Sequence, residues 1–174
     1  MMTLILAAWL MAFRASAVEV AFLEFHTDDG QVVELEPGGR YLHVAIRVGG
    51  QWLHAHTHQG VVLVDTLEPY GHRIIRLVNH TIPDPKPEMV ATWLGKPFDR
   101  TYSWYNPEAT YCTRLVADLL GISPQPMTFA SRHWKNSSMI PVGQLGLSPD
   151  DLFWILRTRG FSIKAHDCED FLAH

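Results

Sequence analysis

Leu42-His43-Val44-Ala45-Ile46-Arg47-Val48, then Gly49-Gly50, then Gln51-Trp52-Leu53-His54-Ala55-His56 is the stretch whose reading decides the fold. The first run alternates strictly. Leu42, Val44, Ile46 and Val48 fall on one face, and His43, Ala45 and Arg47 on the other, the signature of a half-buried strand. Gly-Gly between two such runs is a strong hairpin signal, because the favoured two-residue turns need positive φ. That turn sets Val48 opposite Gln51, Arg47 opposite Trp52 and Ile46 opposite Leu53. Continued further, it sets Ala45 opposite His54 and His43 opposite His56. Opposed residues share a face, so the ribbon gathers His43, His54 and His56 on one patch, with His54 diagonal to His43. A one-residue slip would send the partners to the other face.

Outward from the hairpin, alternation or apolar runs predict strands at 18–24, 32–35, 61–64 and 73–78, with turns at Asp28-Asp29-Gly30 and His58-Gln59-Gly60. Pro87 opens a short helix that Gly95 ends. A second helix ends at Leu120, with Gly121 as its stop. Its start has two readings: Asn106-Pro107 as N-cap and N1, or a start at Tyr111 capped by Thr110. Ser148-Pro149 opens a last helix, with Asp150 and Asp151 in its first turn and Gly160 as its stop. Residues 67–71 and 143–146 read as loop, 135–138 as a turn, and 161–163 as an edge strand. Strands followed by helices, without repeat or linker, predict a single domain of the α+β class over residues 18–174.

Composition bounds the function. The 174 residues suffice for a real core. A formal charge of -4, with no basic run or stripe, points away from nucleic acid. Residues 1–17 read as a cleaved export signal, with an apolar run and a small-residue Ala15-x-Ala17 site; a buried first helix or strand is the other reading. Export would make the protein periplasmic or secreted, and otherwise it would be cytoplasmic. The apolar run is too short for an ordinary membrane span. Two cysteines, Cys112 and Cys168, make no disulfide scaffold and no CxxC pair.

Cys112 has two readings. At a helix N-terminus, orphan N–H groups and the positive dipole end lower a thiol pKa. With His43 as base and a polar group to hold the His43 ring, Cys112 becomes a nucleophile for acyl transfer through an imidazolium–thiolate pair. His54 is the first choice for that polar group and His56 the second. The aromatic stretch Tyr102, Trp104, Tyr105 and Tyr111 would line the substrate cleft. Against this, Cys112 shares an apolar stripe with Leu115, Val116 and Leu119, and helix pattern alone favours core packing. A Cys112–Cys168 disulfide would also remove the nucleophile. His54-x-His56-x-His58 suggests a second chemistry, zinc-dependent hydrolysis with Asp99 or Asp65 as a further ligand. A non-catalytic binding domain is the third reading.

Several short motifs, taken in order, resemble the circularly permuted NlpC/P60 proteins, the YiiX-like papain-like cysteine peptidases. They are Tyr41-Leu42-His43-Val44-Ala45-Ile46; Trp52-Leu53-His54-Ala55 with the later Gly60-Val61; Lys96-Pro97-Phe98-Asp99; Tyr111-Cys112-Thr113-Arg114-Leu115-Val116; and Ser148-Pro149-Asp150-Asp151-Leu152. The similarity spans roughly residues 20 to 160, with His before Cys as in the permuted arrangement. It implies a papain-like fold in which a small antiparallel sheet packs against the Cys-bearing helix, and it favours the helix start at Tyr111. It implies Cys112 as nucleophile, His43 as base and His54 as the orienting group, with Asp99 in a supporting role. No metal or other cofactor is implied. The implied substrates carry amide or ester bonds: peptides, peptidoglycan fragments or lipid-type acyl compounds.

Overall fold

The computed structural model describes residues 17–128 and 143–167. The expected leader, the turn at 135–138 and the Cys168 thiol lie outside these residues. The architecture is α+β. Strands β1 (Val18–Glu24), β2 (His43–Val48), β3 (Gln51–His56), β4 (Gly60–Val64), β5 (Arg73–Asn79) and β8 (Ser162–Ile163) form one antiparallel sheet in the order β4-β3-β2-β1-β5-β8. Helices α1 (Pro87–Trp93), α2 (Cys112–Leu119) and α3 (Pro149–Thr158) follow the first five strands, and β6 (Gln125–Pro126) pairs with β7 (Leu145–Gly146).

The hairpin has the expected register: Val48 opposes Gln51, Arg47 opposes Trp52, and Ile46 opposes Leu53. Gly49 and Gly50 both take positive φ, at 58° and 90°. Strand β1 lies at the centre, paired with β2 and β5, and all seven of its residues are buried. Its apolar run Val20–Leu23 is continuous because the sheet is covered on both faces. On one face Val20, Phe22, Val44, Ile46 and Leu77 pack against Leu115 and Val116 of α2 and Leu152, Phe153 and Leu156 of α3. On the other, Ala21, Leu23, Ala45, Trp52 and Leu67 form a smaller cluster with Tyr70 and Ile74 against it. The two buried acids of β1 are paired. Glu19 meets Arg47 at 3.1 Å and Lys164 at 2.6 Å, and Glu24 meets Arg40 and Arg73.

Four local readings change. The 32–35 segment is not a strand: it makes one isolated bridge, His26 to Val32, with Val33 N–H donating to the Phe25 carbonyl. The 67–71 segment holds a 3₁₀ turn, Glu68–Tyr70, below the buried Leu67. The 143–146 segment is not all loop, because β7 pairs back onto β6. The start of α2 lies one residue past the later reading: Tyr111 is the N-cap, in extended conformation and without a side-chain cap, Cys112 is the first helical residue, and the Thr110 hydroxyl turns to the Tyr111 carbonyl instead of capping. Gly121 follows the helix at φ 61° and Gly160 follows α3 at φ 84°, the left-handed position that favours glycine after a helix. Among the described residues no helix is long and apolar enough to cross a membrane.

Candidate functional site

Placing Cys112 at the tip of α2 takes three ties. The Thr113 hydroxyl donates to the Leu147 carbonyl at 2.6 Å, so the first turn is anchored to the chain that enters α3. Asp99 N–H donates to the Thr110 carbonyl and Thr110 N–H to the Pro97 carbonyl, which brings the Pro-Phe-Asp loop alongside. The Arg114 guanidinium, buried under that loop, donates to the carbonyls of Ser103, Asn106 and Ala109. The apolar stripe gave no hint of that anchor. Gly60 completes the frame: a Cβ there would lie 2.3 Å from the Lys96 carbonyl oxygen, which also accepts from Val61 N–H. Only glycine lets these backbones meet, so the Gly60-Val61 pair docks β4 against the loop.

A cavity of about 360 Å³ opens at this end of the sheet, and Cys112 and His43 both line it. His43 Nε2 lies 2.9 Å from His54 Nδ1. The β2–β3 ladder runs only to Ile46–Leu53, and beyond it the two imidazoles of the expected diagonal meet. His54 is fully buried and its Nε2 has no hydrogen-bond partner. Its ring lies 4.7 Å from that of Tyr70 and 5.9 Å from that of His56. His56 does not bond His43 among the described contacts. Its Nδ1 accepts the backbone N–H groups of His58 and Gln59 instead, closing the β3–β4 turn. His54, not His56, is therefore the partner of His43.

Cys112 is buried at 6% exposure within the main core cluster, so the packing reading and the cavity reading both describe it. Its sulfur faces the backbone N–H groups of Val44, Thr113 and Cys112 itself, which favour a thiolate, but burial outweighs them and pushes the thiol up to about 11. Desolvation, then the neighbouring His54 and His56, pull His43 down to about 3; burial pulls His54 to about 4. The helix tip alone suggests a thiolate–imidazolium pair. Burial works against that pair, since it favours the neutral form of both groups.

Of the expected cleft aromatics, Tyr102 and Tyr111 line the cavity. Trp104 and Tyr105 do not. Trp104 packs behind, its ring 6.5 Å from that of Tyr111, and Tyr105 is 72% exposed. Tyr102 has φ 53°, a left-handed conformation unusual for a bulky residue. Burial first and the adjacent Cys112 second push its phenol up to about 12. Asp99 stands apart from the cavity. Its carboxylate accepts from Thr101 N–H at 2.8 Å, the Thr101 hydroxyl at 2.6 Å and Asn106 Nδ2 at 3.0 Å, which organises the aromatic loop. Phe25, Leu35, Leu42, Phe98, Met127 and Leu147 supply much of the remaining wall, and no Lys, Arg, Asp or Glu is among the described lining residues. Their periodicity within strands and helices carries no signal for a cavity, since most come from connections.

No family model matches the sequence, and no curated protein matches it. One solved structure is similar in fold: the crystal structure of metalloprotein yiiX from Escherichia coli O157:H7 (DUF1105). The TM-score is 0.57 at 16% identity, covering 88% of this chain and 98% of that one. The chain thus has a YiiX-like α+β fold.

Proposed function

We propose that this protein is a cysteine-dependent acyl hydrolase of the circularly permuted NlpC/P60, papain-like type, cleaving an amide or ester bond next to an apolar group. The observation that carries the reading is a single cavity bordered by Cys112 and by His43, whose far nitrogen is held by His54. The YiiX-like fold and the chain order, base before nucleophile, support it.

The chemistry needs no preformed ion pair. His43 Nδ1 takes the thiol proton as Cys112 Sγ attacks the carbonyl carbon. The C–N or C–O bond breaks, and the leaving group departs with the proton from His43. Water then attacks the thioester and gives a proton to His43. The S–C bond breaks, the acid is released, and the proton returns to Cys112. Tyr102 keeps its phenolic proton at any ordinary pH and lines the same cavity as Cys112, which makes it the candidate donor to the developing oxyanion.

The wall selects the substrate class. Peptidoglycan stems carry several charges, and a lining without ionised side chains leaves those charges desolvated and unpaired. A lipid-type acyl group or an apolar peptide side chain fits. The zinc reading stays second: His54 Nδ1 is engaged by His43 and His56 Nδ1 by two backbone N–H groups, which leaves their Nε2 atoms for an ion, and among the described residues no group of three His, Cys, Asp or Glu side chains is placed to hold one. We further propose export, with residues 1–17 removed, which the N-terminal mass of protein recovered from its native compartment would show.

Intact-mass spectrometry during turnover of p-nitrophenyl octanoate and an octanoyl anilide tests the function. An acyl adduct on Cys112 and loss of turnover in Cys112→Ala are expected. Turnover unchanged in Cys112→Ala overturns the nucleophile. No adduct and no turnover of either substrate would favour a binding domain.

A further inference from the structure

The mechanism leaves one buried group without a partner. His54 Nε2 is sealed from solvent and meets no hydrogen-bonding atom. Its ring lies beside that of Tyr70, with the centroids 4.7 Å apart and the planes inclined at 60°. We propose that Tyr70 is a positioning residue, its ring face holding His54 in the Nε2–H tautomer so that His54 Nδ1 is the acceptor that aims His43. This rests on the hydrolase reading for its consequence, though not for its geometry.

One proton lies between His43 Nε2 and His54 Nδ1, and its owner decides whether His43 is a base. If His43 donates it, His43 Nδ1 carries a lone pair and can take the thiol proton. If His54 donates it, the neutral His43 must carry its proton on Nδ1 and cannot. Nothing in the pair itself breaks this tie. Tyr70 breaks it. The face of an aromatic ring is the negative end of its quadrupole. A His54 Nε2 lone pair turned to that face would be repelled, whereas an Nε2–H would be attracted as an N–H···π contact. The buried Nε2 therefore keeps the proton and Nδ1 accepts. His56 follows the same pattern by another route. Its Nδ1 accepts two backbone N–H groups, so its neutral ring is protonated at Nε2, and Tyr70 lies edge-on to it at 5.6 Å.

Tyr70 is itself fixed. It ends the 3₁₀ turn Glu68–Tyr70, and its N–H donates at 2.8 Å to the carbonyl of the buried Leu67. The ring, not the hydroxyl, does the positioning, so Phe should replace Tyr here and an aliphatic residue should not.

The test is long-range ¹H–¹⁵N correlation NMR of histidine-labelled protein at pH 7.5, with His54 assigned by its loss in His54→Gln. The wild type and Tyr70→Phe should show a pyridine-type Nδ1 and a protonated Nε2 at His54. Tyr70→Leu should show the two tautomers mixed, with kcat lowered roughly tenfold, KM little changed and activity restored by Phe. A protonated Nδ1 at His54 in the wild type overturns the proposal, and so does an unchanged tautomer in Tyr70→Leu. If Tyr70→Leu does not fold, the wild-type and Tyr70→Phe spectra still decide the tautomer. If the tautomer shifts as expected while even the wild type hydrolyses neither acyl substrate, the tautomer lock stands and the hydrolase reading falls.

Discussion

The sulfur of Cys112 faces the backbone N–H of Val44, the residue next to His43 in the chain. The proposed nucleophile and base thus meet at the same two residues of β2, so a shift of that strand would change their relative placement. The three N–H groups around the sulfur do not suffice to ionise it against burial, which gives the first prediction.

Alkylation of Cys112 by iodoacetamide should be slow at pH 6 and should climb steadily toward pH 10, because only the thiolate reacts and burial holds the thiol near 11. Turnover should be slower in D₂O, since the proton moves to His43 during attack. Mass spectrometry and stopped-time assays check both. Fast, pH-flat alkylation from pH 5 upward would mean a preformed ion pair instead.

Tyr102→Phe should lower kcat by about 100-fold with little change in KM, the size expected for losing one oxyanion donor. The fold should survive, because the left-handed backbone at Tyr102 is set by the loop around Asp99, whose bonds do not involve the phenol. Steady-state kinetics and a melting curve separate the two effects.

Glu36→Gln should stabilise the protein above pH 7 and do little below pH 4.5. Glu36 accepts from the Ser148 hydroxyl at 2.8 Å, and burial first, with Asp150 and Asp151 adding to it, raises its carboxyl to about 7. A raised carboxyl is protonated more readily in the folded state than in the unfolded one. Its contribution is therefore complete below the unfolded value and lost as pH rises through about 7. With partial solvent screening, a gain of roughly 1–2 kcal/mol in the variant is expected. His43 and His54 act in the opposite sense. Their lowered values cost stability as pH falls from 6.5 toward 4. Urea denaturation from pH 4 to 8 would resolve the two slopes.

Arg114→Met should cost about 2–4 kcal/mol, since it strands the carbonyls that Arg114 now satisfies at Ser103, Asn106 and Ala109. It also removes a guanidinium lying 5.0 Å over the Trp93 ring. The loop bearing Tyr102 should loosen before the sheet does, so hydrogen exchange should rise at 99–106 while β1 stays protected.

The ribbon was the most legible part of this chain, for a definite reason. Gly49-Gly50 admits few turns, and one turn fixes the pairings from Val48–Gln51 to Ile46–Leu53, just beyond which His43 and His54 meet. The tip of α2 was half legible: capping left Tyr111 and Thr110 as good a start as Asn106-Pro107, the resemblance favoured Tyr111, and the tertiary bonds at Pro97, Asp99 and Leu147 hold the tip there. The ionisation of Cys112 was illegible, because burial depends on what covers the helix tip and not on the tip. Tyr70 was missed altogether. It sits in a single 3₁₀ turn with no periodicity to read, and its importance comes from a histidine on another strand. Tyr105 was misplaced because aromatic content says nothing of direction, and that loop turns inward on the Arg114 guanidinium instead.

The order of the strands and α2 has a bearing on biosynthesis. His43 and His54 leave the ribosome on an early hairpin, whereas Cys112 follows more than fifty residues later and needs Leu147, later again, to seat its helix. A translating or prematurely ended chain thus holds an imidazole relay with no sulfur beside it. On the proposed hydrolase reading, competence would wait for Leu147, and any fragment ending before it would lack a seated nucleophile.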